Sequence, residues 1–153
     1  MRPDTRAQIE ALFERYPAKR GALLPAIYLA QAEKGWVDAE TTRELARIFE
    51  LQPVEIHEVL SFYNMFYTEP QGRHHVYVCT NVPCSLRGAR SLLRGLEAYL
   101  GVHAGETTKD RRITLGHEEC LGSCGTAPVL RVDGVYHENV EFADARRIVD
   151  ALE

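Results

Sequence analysis

Four cysteines are the residues most able to do chemistry in this chain: Cys79, Cys84, Cys120 and Cys124. Their spacing is C-x4-C, then 35 intervening residues, then C-x3-C. The first 78 residues hold no cysteine, and neither do the last 29. Four thiols in one part of a chain can form disulfides, a redox dithiol, a zinc site or an iron–sulfur ligand set. A thioredoxin-type dithiol uses C-x-x-C, which is absent here. Disulfides are disfavoured where thiols stay reduced. Tetrathiolate zinc remains open, although zinc ribbons favour shorter knuckles. A [2Fe–2S] cluster needs four thiolates around a compact core, and loops of three or four residues can straddle two irons. Spacing and context favour the cluster.

The neighbours fit that chemistry. In HEECLGSCGTAP (117–128), Gly122 and Gly125 can bring backbone N–H groups close to sulfur. An oxidised cluster with four thiolates carries a charge of about −2, and about −3 when reduced. Amides at the start of a helix after Cys84 can stabilise that charge, and Arg87 is the one nearby cation. Glu118 and Glu119 oppose an added electron if they face the site; otherwise they are a solvated strand end. Ser85 and Thr80 are candidate donors to sulfur. His117 reads as a surface histidine, and Pro128 as a candidate cis proline beside the site.

These residues need elements to hold them. HHVYVC (74–79) alternates as a strand, and RRITLGHEE (111–119) reads as another. LRGARSLLRGLEAYLG (86–101) between them has the apolar spacing of an amphipathic helix. PVLRVDGVYHENV (128–140) is a hairpin turned by Asp133-Gly134. FADARRIVDALE closes the chain as a helix. If the two strands are neighbours, Cys79 and Cys120 end them side by side, with Cys84 and Cys124 in the loops that follow. The order β-α-β-β-β-α suits a thioredoxin-like layer.

Upstream, residues 1–68 read as short helices. Asp4 is the expected cap of the first, and Pro17 its stop. A second begins near Arg20, a third at Asp38 and a fourth at Pro53. FYNMFY (62–67) is densely aromatic. EPQGR (69–73) is the expected boundary, giving a helical partner-docking domain over 1–70 and a thioredoxin-like domain over 71–153. The fold class is therefore α+β, a helical bundle followed by the cysteine-bearing domain.

Composition excludes other classes. The formal charge is −4, with no basic stripe, which argues against nucleic acid. No apolar run reaches a membrane span. The start, MRPDTRAQIEALFERYP, lacks a signal-peptide core, so a cytoplasmic location is expected.

CTNVPC and ECLGSCGTAP resemble the thioredoxin-like [2Fe–2S] ferredoxin domain. QAEKGWVDAE (31–40), VEIHEVLSFYNMF (54–66) and GETT (105–108) are similar to the small peripheral iron–sulfur subunit of NADH:quinone oxidoreductase, respiratory complex I. Related subunits occur in NAD-linked formate dehydrogenases and NAD-reducing hydrogenases. The resemblance runs from about residue 8 to the end. It implies that Cys79, Cys84, Cys120 and Cys124 bind one [2Fe–2S] cluster. It also implies a flavoprotein partner that carries FMN and binds NADH, with single electrons passing between flavin and cluster. No catalytic residue is expected in this chain, nor direct membrane insertion; a homodimer of the isolated chain is compatible. SFYNM stands where TFYTM is usual, and KDRRITL lacks a frequent Asp-Gly turn. The alternative from another class is a zinc-stabilised interaction module.

Overall fold

The computed structural model describes residues 1–153, which divide into two compact units, Met1–Pro70 and Gln71–Glu153. The first unit holds four helices: α1 (Pro3–Leu12), α2 (Leu23–Gln31), α3 (Ala39–Phe49) and α4 (Pro53–Phe62). Helix α1 begins earlier than expected. Arg2 takes the cap position and Pro3 the first turn, so Asp4 lies inside the helix. There its charge still meets the positive end of the helix dipole. Asp38 caps α3 as expected, accepting the Thr41 N–H at 2.9 Å. Pro53 opens α4, where Gln52 and Glu55 form a capping box.

Ile9, Ile27, Leu45 and Ile56 are fully buried where the four helices meet. Each contributes about 1.5–3 kcal/mol by leaving water. The aromatic segment divides between core and surface. Phe66 is buried, whereas Phe62 is 80% exposed. Gln31 fastens the segment, donating to the Met65 carbonyl at 3.0 Å and accepting the Tyr67 N–H at 2.8 Å.

The second unit is a four-stranded sheet in the order β2-β1-β3-β4, with strands β1 (His74–Cys79), β2 (Ile113–Glu118), β3 (Leu130–Val132) and β4 (Val135–His137). Strands β1 and β2 pair in parallel, with Cys79 opposite Glu118. A parallel pair needs a crossover, supplied by α5 (Val82–Leu86) and α6 (Ala89–Leu100). Strand β3 pairs antiparallel with β1 on its other side. Asp133 and Gly134, at φ 48° and 88°, make the two-residue turn into β4. Helix α7 (Phe142–Asp150) follows. Val76, Val78, Ile113, Leu115, Leu130 and Val132 form the apolar face of the sheet, in one cluster with Leu92 and Leu96 of α6 and Ala145 and Val149 of α7.

The helix expected over 86–101 is shorter. It starts at Ala89, after a break at Arg87–Gly88, and residues Val82–Leu86 form a helix of their own. Asn81 is the reason: its side chain accepts the Val82 N–H at 2.7 Å, and Pro83 sits in the first turn. No helix is long and apolar enough to cross a membrane.

Candidate metal centre

The parallel β1–β2 pairing carries both thiol pairs to one end of the sheet. Cys79 is the last residue of β1 and is 3% exposed. Cys84 lies inside α5, where a loop was expected, and is 2% exposed. Cys120 sits two residues beyond the end of β2 instead of ending it, and Cys124 opens a 3-10 turn, Cys124–Thr126; both are exposed. The centre is thus half inside the fold and half at its surface. All four cysteines are free thiols.

The thiols interact across the pairs. Cys84 meets Cys79 through a hydrogen bond and also feels Cys124. Cys120 meets both Cys124 and Cys79. No three His, Cys, Asp or Glu side chains close around the position of a single ion; the sulfurs form a broader ring of pairwise contacts. Burial, together with the bond to Cys79, pushes the Cys84 thiol up to about 11, against a backbone hydrogen bond from Val129. Cys120 is lowered, first by the Gly122 N–H, which donates to its Sγ at 3.3 Å, and then by Asn81. A metal bound here would have to displace a proton at Cys84, while Cys120 is already disposed toward the thiolate. Four convergent soft donors, two held in the core and two already receiving a backbone N–H, suit an iron–sulfur group in chemistry and in reach.

Several neighbours differ from expectation. Gly122, at φ 75°, occupies a backbone region that disfavours side chains; Gly125 does not. Ser85 and Thr80 do not serve sulfur. Ser85 Oγ donates to the Thr80 carbonyl at 2.7 Å, and Thr80 Oγ1 to the Glu118 carbonyl at 3.2 Å. Short hydroxyl side chains readily bond to backbone carbonyls within their reach. Glu118 is ion-paired with Arg131 at 2.7 Å, so its charge is compensated where a bare carboxylate was expected. His117 is exposed, and the Ala127–Pro128 peptide is cis.

Asn81 and Arg131 were missed by the sequence reading. For Asn81 the signal was present: Asn followed by Val-Pro is a helix start. Arg131 offered only a lone charge between Leu130 and Val132, and its partner lies two strands away.

Comparison with known proteins agrees with this geometry. A family model described as thioredoxin-like [2Fe–2S] ferredoxin matches residues 9–153. A subunit of the NADH-quinone oxidoreductase of Rhizobium meliloti (strain 1021) is 44% identical over 147 residues, covering 96% of this chain and 88% of that protein. Its counterpart in the NADH-quinone oxidoreductase of Rickettsia typhi (strain ATCC VR-144 / Wilmington) is 36% identical over 144 residues, covering 92% and 85%. Among solved structures, the crystal structure of an NAD+-reducing [NiFe]-hydrogenase in the air-oxidized state superposes with a TM-score of 0.74 at 27% identity. That match covers 85% of this chain and 22% of the hydrogenase chain. With a match that takes in both structural units, the chain belongs to the thioredoxin-like [2Fe–2S] ferredoxin family, and its cofactor is one [2Fe–2S] cluster.

Proposed function

We propose that this chain is an electron-transfer subunit of an NADH–quinone oxidoreductase complex. In this reading Cys79, Cys84, Cys120 and Cys124 hold the cluster, and a partner flavoprotein subunit carries FMN and binds NADH. One observation carries the assignment: adjacent parallel strands deliver two thiol pairs, 35 residues apart in sequence, to the same end of one sheet. The group supplies one-electron chemistry when bound; the chain supplies position, partial burial and charge. Val82 and Leu86, 67% and 83% exposed, lie on the short helix that bears Cys84. Apolar side chains at the rim of a redox centre suit a protein partner more than water. Relatives that are themselves named as subunits support the same view. A position on the cytoplasmic side of a membrane-bound complex belongs to this reading. The likeness to the NAD+-reducing hydrogenase supports a second one, an equivalent subunit in a complex of that kind.

Anaerobic purification followed by metal and sulfide analysis tests the assignment. Two irons and two sulfides per chain are expected, with charge-transfer absorption and a paramagnetic signal after reduction. Replacing any one of the four cysteines with serine should weaken or abolish that absorption, because the alkoxide is a harder and poorer ligand. A colourless chain holding one zinc would sink the reading.

A further inference from the structure

The sheet face opposite α6 and α7 carries a charge pair beside the centre. Side chains of directly paired residues share a face, and successive residues alternate. Val76 and Val78 face the helices, so Tyr77 faces away, with its partners Gly116 on β2 and Arg131 on β3, while Cys79 at the strand end is buried in the core cluster. The register therefore sets Glu118 directly beside Cys79. Arg131 reaches it across the sheet. Its guanidinium lies 4.9 Å from the centroid of the Tyr77 ring, and Nη2 donates to Glu118 Oε1 at 2.7 Å. Gly116 gives the Tyr77 ring its room, since a Cβ there would lie 2.4 Å from Cε1. The pair is well shielded, with side chains 30% and 15% exposed.

We infer that Arg131 sets the reduction potential of the cluster by neutralising Glu118 beside Cys79. This rests on the reading that Cys79 is a ligand. An intact pair presents almost no net charge to the centre. With the guanidinium removed, an unbalanced carboxylate remains beside a group that becomes more negative on reduction, and the added electron is disfavoured. With the carboxylate removed, an unbalanced cation remains and the electron is favoured.

The test is a redox titration of the full chain, loaded with its cluster and followed by absorption and by the paramagnetic signal of the reduced form. Arg131→Gln should lower the reduction equilibrium constant about tenfold, which is about 59 mV for a one-electron couple. Glu118→Gln should raise it by a similar factor. The double variant should return to within about threefold of the parent, and Arg131→Lys should stay near the parent because it keeps the charge. Loss of the cluster from Arg131→Gln would leave Glu118→Gln and Arg131→Lys to decide. Equal potentials in loaded parent and variants, or shifts of one sign in both single variants, would overturn the inference alone. A parent chain that binds no cluster would overturn the ligand reading, and this inference with it.

Discussion

Gly122→Ala and Gly125→Ala form a matched pair of substitutions on one loop. Each adds a single methyl group, and neither Cβ would meet any atom within 4 Å. Sterics therefore cannot separate them. Backbone conformation can, because only Gly122 has a positive φ, 75°. An alanine held there costs about 1–2 kcal/mol. If that strain is released when the loop opens, opening becomes about 5–30 times more frequent. The same opening breaks the Gly122 N–H bond to Cys120 Sγ. At Gly125 the alanine restricts the unfolded chain without native strain, so the loop is unchanged or slightly firmer. The assay is the decay of charge-transfer absorption when the loaded chain meets a chelator. Gly122→Ala should bleach about 5–30 times faster than the parent, and Gly125→Ala within about twofold of it. Equal bleaching by the two variants would refute the claim that the backbone at 122 holds the loop.

Two further outcomes concern stability, read from denaturant midpoints. Arg111 sits at φ 57° in the stretch where the Asp-Gly turn is missing. Arg111→Gly should stabilise the chain by about 0.5–1 kcal/mol, relief of left-handed strain outweighing the added freedom of the unfolded state; a lower midpoint would contradict this. His74 Nδ1 pairs with Asp133 Oδ2 at 2.7 Å. The His74 pKa is raised, first by that bond and then by the Glu153 carbonyl, so the pair's contribution is complete below the unfolded histidine value and fades as pH rises through the folded one. Burial raises the Asp133 carboxyl, but hydrogen bonds from His74 and the His75 N–H outweigh it and the net shift is downward. The contribution therefore fades again below about pH 4. Asp133→Asn, which keeps the turn preference, should be most destabilising between about pH 4 and 6.5 and least at about pH 9. A deficit that grows toward high pH would be the wrong sign.

What the sequence disclosed was mostly local. Asp38, Pro53 and the Asp133-Gly134 turn act on their own segments, and each stands where its chemistry requires. The thiols converge because HHVYVC and the strand before Cys120 are neighbours, and alternation of apolar residues made the first of them visible. Boundaries were harder to read. Asp4 and Arg2 compete for one helix start, and Pro3 favours the earlier one. The separate helix around Cys84 was hidden by treating 86–101 as a single apolar period, although Asn81 and Pro83 mark its start. The environment of the sulfurs was least legible. Whether Thr80 turns to sulfur or to backbone, and whether Glu118 stands bare, depends on a carbonyl and an arginine that other strands bring near. Such contacts leave no periodic trace in the chain.

The strand order also carries a timetable. Cys79 and Cys84 emerge from synthesis well before Cys120, and nothing local brings the two pairs together. They meet only when β2 docks in parallel against β1, a long-range pairing that pays loop-closure entropy before it gains contacts. A nascent chain ending before Ile113 offers two sulfurs and no complete nest. On the reading that all four thiols are ligands, loading waits for the sheet, and a loaded sheet is cross-linked from residue 79 to residue 124. Assembly factors would meet a folded scaffold with Cys120 and Cys124 on its open side.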